Sequence, residues 1–370
     1  MEKIQTINKK TCDWLLVIIV LLLILIGFFM VYSSSYPDGY YKHGSSLFFL
    51  KKQIIAGIAG IFIMIITSFI PYRLYKRATK LMIFICIVLS LLTVFMGAEG
   101  NGAQRWLVFG GISLQPSEII KIAAVLCMAD YLDKRRKKLS EFKKGYIYTL
   151  AAIVGFVFLI VIQQDLSTSV VLTLVLMIMF FCAGARLFHL ILTGVLGVAA
   201  TIPLIAFYAY RIERIVAFLD PFKYIKGSGW QIVQSLYALG TGGLFGLGLG
   251  KSRQKFFYLP EAYNDFIFSI IGEELGFVGC VAVILLFVLF AWRGIRIAMN
   301  AKDFYGSLVA IGLSSLVLVQ FLVHIAVATS SMPPTGRALP FISAGGTSLL
   351  FLLASMGILL NISKTADIYS

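Results

Sequence analysis

Residues Leu15 to Tyr32 read LLVIIVLLLILIGFFMVY, a run without a single charge. A bilayer's hydrocarbon core is about 30 Å thick and takes roughly 20 apolar residues per helix, so this stretch has the length and composition of a membrane span. It is too long for the core of a signal peptide, and Ser33 to Ser35 and a polar loop follow it, so it reads as a retained anchor ending near residue 32. Runs of the same order recur near 53–70, 81–97, 117–132, 146–163, 167–184, 187–209, 266–292, 306–331 and 343–362. The expected fold is an all-α polytopic membrane protein of about ten transmembrane helices, a single transmembrane domain over 1–370. Composition agrees: 59% of the 370 residues are hydrophobic and 13% are charged, a balance that a soluble domain of this length would not keep in solution.

An even number of spans puts both termini on one side, and basic residues choose the side, because short loops rich in Lys and Arg stay in the cytoplasm. With the N-terminus inside, nineteen Lys and Arg fall on inner segments, among them Lys3, Lys9, Lys10, the run Lys134 to Lys138, Lys143 and Lys144. Five fall on the short outer loops: Lys42, Lys51, Lys52, Arg105 and Arg337. Both termini are therefore expected in the cytoplasm, with the chain threading the cytoplasmic (plasma) membrane. The net charge of +15 is then mainly a topology signal, with some attraction for anionic membrane lipids, and no nucleic acid partner is expected. The five cysteines (Cys12, Cys86, Cys127, Cys182, Cys280) have no paired spacing, which argues against a disulfide framework or a metal cluster.

Two outer segments exceed what a connection needs: 98–116, and the long loop of about 210–265 between the seventh and eighth spans. The long loop mixes aromatics (Phe218, Phe222, Trp230, Phe256, Phe257, Tyr258) with glycines and bases, and is expected to fold back onto the outer face as short interfacial helices. Its glycines at 240, 242, 243, 246, 248 and 250 precede Lys251, but a phosphate-binding P-loop would need glycine at 245, where Phe245 stands. A re-entrant glycine turn that brings backbone close to a ligand, beside Lys251, Arg253 and Lys255, competes with a plain flexible loop.

Inside or at the edges of the spans lie Glu118, Lys121, Asp130, Asp165, Glu273 and Glu274, which need partners or a wet cavity. Glu118 and Lys121 share a helix face and can satisfy each other; Asp165, in a very short turn, can act as a local cap. Asp265 ends the long loop just before an apolar helix, where capping that helix and accepting a proton from a sugar hydroxyl are both open. The histidines (His43, His189, His324) have no ligand spacing, and His324 inside a span suits an interhelical hydrogen bond.

Longer words in the sequence carry more. Gly102-Ala103-Gln104-Arg105-Trp106, Gln115-Pro116-Ser117-Glu118 with Lys121, and Gln164-Asp165-Leu166 are joined by Tyr258-Leu259-Pro260-Glu261, Asp265-Phe266-Ile267-Phe268 and Gly272-Glu273-Glu274-Leu275-Gly276, then by Pro334-Thr335-Gly336 and Leu339-Pro340-Phe341. Over nearly its whole length the chain resembles the SEDS family (shape, elongation, division and sporulation proteins). Ser252-Arg253-Gln254-Lys255 before Tyr258 makes it more similar to the division and sporulation branch (FtsW and SpoVE) than to the elongation branch (RodA). It departs from the family at Asn264, His324, Ser330 and Ala344, where Thr, Asn, Gly and Tyr are usual.

The resemblance implies a bacterial peptidoglycan glycosyltransferase that polymerises lipid II, an undecaprenyl-linked disaccharide peptide, beside a class B penicillin-binding protein. It implies Asp265 as the catalytic aspartate and Arg105, Glu118, Lys121 and Asp165 as substrate-side residues, with Arg253 and Lys255 as helpers. On this reading Arg105 and Lys121 stabilise the departing pyrophosphate and Glu118 orients Lys121. The resemblance fixes no cofactor; a divalent cation, Mg or Mn, could assist with the pyrophosphate, though no ligand cluster in the sequence demonstrates one. Two other classes fit a polar-lined helical bundle: a flippase for lipid II, and a non-catalytic scaffold recruiting the penicillin-binding protein.

Overall fold

The structure is a computed structural model that describes residues 12–366 apart from 101, 102, 110, 111, 140, 207 and 208. Lys3, Lys9 and Lys10 of the topology argument and Gly102 of the first motif lie outside the described residues. Each of the ten apolar runs meets a helix: α1 (Trp14–His43), α2 (Phe48–Phe69), α4 (Thr79–Met96), α5 (Pro116–Arg135), α6 (Tyr148–Val161), α7 (Leu166–Cys182), α8 (Leu187–Ala206), α11 (Ile267–Met299), α12 (Phe304–Ala328) and α13 (Gly346–Ser363). Three shorter α-helices are α3 (Tyr72–Arg77), α9 (Ala209–Leu219) and α10 (Trp230–Thr241), and a 3-10 turn (Arg136–Lys138) and a π-helical turn (Phe142–Ile147) lie between α5 and α6. Among the described residues α1, α2, α4, α11, α12 and α13 are long and apolar enough to cross a bilayer, which makes this a multi-pass membrane protein.

Position in the bundle follows composition. α12 is buried on nearly every side, from Leu308 through Val317 to Val327, and packs against α5, α7, α11 and α13, so it forms the bundle's centre. α2 and α13 approach each other most closely where side chains vanish. A Cβ on Gly60 would overlap Leu353, and one on Gly357 would overlap Thr67 Oγ1 and the Met64 carbonyl. Gly357→Ala is therefore expected to cost about 1–3 kcal/mol through overpacking, read as a lower melting temperature in detergent.

Three features differ from the sequence reading. α1 does not stop near residue 32 but continues through Ser33 to Ser35 to His43. Serine hydroxyls can serve a helix rather than end it: Ser34 Oγ donates to the Met30 carbonyl (2.6 Å), and Ser33 Oγ reaches Glu274 on α11 (2.6 and 2.7 Å). The helical bundle also carries a small antiparallel sheet that the sequence reading did not expect, in the order β1 (Ala98–Gly100), β2 (Ala103–Phe109), β3 (Ile112–Leu114). Its sequence carries the aromatic and β-branched residues Trp106, Val108, Phe109 and Ile112 that suit pleated strands. Finally, the glycine turn packs its backbone against α11. α11 breaks at Gly276 (φ 68°), and the turn repairs the break: Leu247 and Gly248 donate to the carbonyls of Glu273 and Glu274, and Phe277 and Val278 donate to those of Gly243 and Leu244 (2.9–3.1 Å). Gly246 has no room for a Cβ against the Glu274 carbonyl.

Candidate active site

A cavity of about 500 Å³ opens where β2, the starts of α5 and α7, α9, the turn before α11 and the α12–α13 loop (329–345) converge. Its polar lining includes Arg105, Glu118, Gln164, Arg214, Asp265 and Arg337, and its apolar wall includes Val170, Val171, Ile215, Val323 and Met332.

Asp265 sits in the turn ahead of α11, but it is not the helix cap: Phe266 occupies that position, and no hydrogen bond runs from the helix to the Asp265 carboxyl. The capping reading is thus set aside. Its Oδ1 is enclosed and has no hydrogen-bond partner. Burial, reinforced by the nearby Glu261 charge, pushes the carboxyl up to about 6 against the pull of Arg337, Arg214 and Arg105. An enclosed carboxyl with an idle oxygen beside three guanidinium groups is placed to take a proton from a bound hydroxyl.

The guanidinium groups come from three separate elements. Arg105 falls where the β1–β2 register slips, between Gln104 paired with Glu99 and Trp106 paired with Ala98, so the irregularity re-aims it; its Nη2 donates to the Gln164 carbonyl (2.8 Å). That carbonyl is turned by a positive φ (56°) at Gln164. Arg214 lies on amphipathic α9, within 3.4 Å of the Pro334 carbonyl. Arg337 comes from the α12–α13 loop, and its Nη2 contacts both carboxylate oxygens of Asp165 (2.5 and 2.7 Å) while Nη1 lies 3.9 Å from Glu118.

Asp165 does cap α7, accepting from the Thr168 backbone (3.2 Å) and hydroxyl (2.6 Å). Burial alone would raise its pKa, but the Arg337 and Arg105 charges hold the carboxyl well below the usual carboxylate range. Glu118 and Lys121 pair as their spacing predicts, Nζ to Oε1 at 2.8 Å, and Ser348 donates to the other Glu118 oxygen (3.2 Å).

The structure therefore brings Asp265, Arg105 and Glu118 to the cavity and sets Lys121 and Asp165 one layer behind it. Buried Lys121 pairs with Glu118 and does not line the cavity, and Asp165 grips Arg337. Arg253 and Lys255 are not brought to the cavity. Lys255 is closed in an ion pair with Glu274 (2.8 Å) that Ser33 completes, and the Arg253 backbone N–H donates to Glu273 (2.9 Å). The sequence reading missed Arg214 and Arg337 as site residues. A signal for Arg337 existed, since it is the one ionisable residue between 332 and 342.

Among the described residues no group of three or more His, Cys, Asp or Glu could hold a metal ion. Of the cavity's carboxylates, Glu118 is committed to Lys121 and Ser348.

Known proteins share this architecture. The chain is 43% identical over 361 residues to stage V sporulation protein E of Bacillus subtilis, covering 97% of this chain and 99% of that one. It is 40% identical over 336 residues to a probable peptidoglycan glycosyltransferase FtsW of Trichlorobacter lovleyi, covering 90% and 88%. A solved structure described as "Structural coordination of polymerization and crosslinking by a peptidoglycan synthase complex" superposes with a TM-score of 0.79 at 28% identity, covering 97% of this chain and 99% of that chain. The rod shape determining protein RodA of Thermus thermophilus superposes with a TM-score of 0.72 at 25% identity, covering 97% and 98%. A family model described as "Cell cycle protein" matches residues 13–368, and the chain belongs to that family, FtsW/RodA/SpoVE.

Proposed function

We propose that this protein is a peptidoglycan glycosyltransferase that polymerises lipid II at the outer face of a bacterial cytoplasmic membrane, in division or sporulation, alongside a class B penicillin-binding protein. The observation that carries the reading is Asp265: a carboxyl with an idle enclosed oxygen, in a large cavity ringed by Arg105, Arg214 and Arg337. The names of the relatives support the reaction, and the peptidoglycan synthase complex supports the partner. Ten crossings with both termini inside would place this cavity on the outer side, and its apolar wall of Val170, Val171, Ile215 and Met332 suits a lipid-anchored substrate.

In this mechanism Asp265 takes the proton of the acceptor's GlcNAc 4-hydroxyl as that oxygen attacks the donor's MurNAc anomeric carbon with inversion. The bond to undecaprenyl pyrophosphate breaks, and negative charge grows on the leaving group. Arg105, Arg214 and Arg337 are the groups placed to stabilise that charge. Lys121 and Asp165 act through Glu118 and Arg337. A divalent cation, Mg or Mn, would be held mainly by the pyrophosphate itself.

The test is to give the purified protein, with its penicillin-binding partner, lipid II and measure glycan chain length. Glycan chains support the reading; vesicles that move lipid II without polymerising it support a flippase, and neither activity supports a scaffold. A base must be ionised to work, and Asp265 is pushed up to about 6. Turnover is therefore expected to climb as pH rises through about 6 and to level off above about 7. A flat profile from pH 5 to 8 would remove Asp265 as the base.

A further inference from the structure

Gln53 on α2 is remote from the chemistry, since no residue of α2 lines the cavity. Yet it is 2% exposed and uses both ends of its amide on the α12–α13 loop: Nε2 donates to the Ser343 carbonyl (3.1 Å), and Oε1 accepts from the Gly345 N–H (3.2 Å). Ser343 then passes the contact on. Its hydroxyl accepts from the Leu339 N–H (2.7 Å) and donates to the Asn264 carbonyl (2.6 Å), while the Ala344 N–H donates to the Tyr263 carbonyl (3.1 Å). Asn264 is next to Asp265, and Leu339 is two residues from Arg337. On the facing side Gly336 comes so near that a Cβ there would sit 3.3 Å from Asp265 Oδ2. The turn bearing the carboxyl and the loop bearing the guanidinium are thus tied into one bracket, and α2 anchors it.

We infer that Gln53 and Ser343 are positioning residues for glycosyl transfer: they fix the separation of Asp265 from Arg337 through the Gln53–Ser343–Asn264 chain of hydrogen bonds. The inference rests on the reading of Asp265 as the base. Residue type fits the task. Only a side chain with a donor and an acceptor on one planar group can meet a carbonyl and an N–H two residues apart, and only a small hydroxyl can accept and donate at the 339–343–264 junction. Plain satisfaction of buried loop backbone is the competing explanation, and it predicts changes in stability without a selective change in turnover.

The experiment compares wild type, Gln53→Met, Ser343→Ala, Ser343→Thr and Asp265→Asn. Each is purified as the full chain with the penicillin-binding partner, and each is assayed on lipid II for kcat and KM and melted in detergent. Small misplacements of reacting groups are costly, so Gln53→Met and Ser343→Ala are expected to lose about ten- to hundredfold in kcat. KM should stay within about threefold, because substrate contacts are retained. Ser343→Thr, which keeps the hydroxyl, should recover most of the loss. Should Gln53→Met fail to fold, the Ser343→Ala and Ser343→Thr pair decides alone. Wild-type kcat in the folded Gln53→Met and Ser343→Ala proteins, beside an inactive Asp265→Asn, overturns the bracket alone; so does a Ser343→Thr no better than Ser343→Ala. Undiminished polymerisation by Asp265→Asn overturns the base assignment and the bracket with it.

Discussion

Asp265→Asn is expected to slow lipid II polymerisation by about 10²–10⁴-fold, the contribution of a positioned general base, while the protein stays folded. Asparagine keeps the shape but cannot take the proton. Stability should move the other way. The wild-type carboxyl is pushed up to about 6 from its usual 3.8, so the folded state binds its proton more tightly than the unfolded state does. An acid with a raised folded pKa loses stability as pH climbs from its unfolded value through its folded one, and at pH 7.5 that loss is complete. Removing the group removes the penalty, so Asp265→Ala and Asp265→Asn should melt no lower than wild type at pH 7.5. A strongly lowered melting temperature would mean that Asp265 serves the fold, and an unchanged polymerisation rate would mean that it does not serve the chemistry.

What was legible in the sequence follows from the range of each interaction. Apolar runs of about twenty residues announce helices because the bilayer acts on each run by itself. The first run misjudged its own end because Ser33 finds its partner, Glu274, across the bundle. The β1–β2–β3 sheet was missed because two of its strands are three residues long, too short for an alternating pattern to show. Within the site the same division holds. The pairing of Glu118 with Lys121 and the capping by Asp165 are local, and both could be read from spacing. Lys255 could not, because its partner lies beside the helix break at Gly276 that the glycine turn fills. From spacing alone Asp265 was a carboxylate at a loop's end, and only the family resemblance made it the expected catalytic aspartate; the structure adds the idle Oδ1, which depends on the position of Phe266 and on side chains far away in sequence.

Arg337 shows how far such a distant partner can matter, and its removal should cost both stability and activity. It is 8% exposed, bonds both oxygens of Asp165 and approaches Glu118, so it offsets buried negative charge while presenting its remaining surface to the cavity. Arg337→Ala strands the Asp165 carboxylate, and breaking a buried pair from one side costs about 3–5 kcal/mol. The pH dependence has a definite sign. Asp165 is held below its usual 3.8, so the pair's stabilisation is fully present above that value and is lost as pH falls toward the depressed folded one. The melting deficit of Arg337→Ala should therefore be full at pH 7 and shrink toward pH 3. Arg337→Asn with Asp165→Asn should recover part of the stability but none of the turnover, because the guanidinium facing the leaving group is still gone. Arg337→Lys separates charge from geometry: one ammonium cannot span both Asp165 oxygens and also reach Glu118, so the fold should hold while turnover falls about 10²-fold. If Arg337→Lys instead turns over like wild type, charge alone suffices and the two-oxygen grip of Asp165 has no part in aiming the cation.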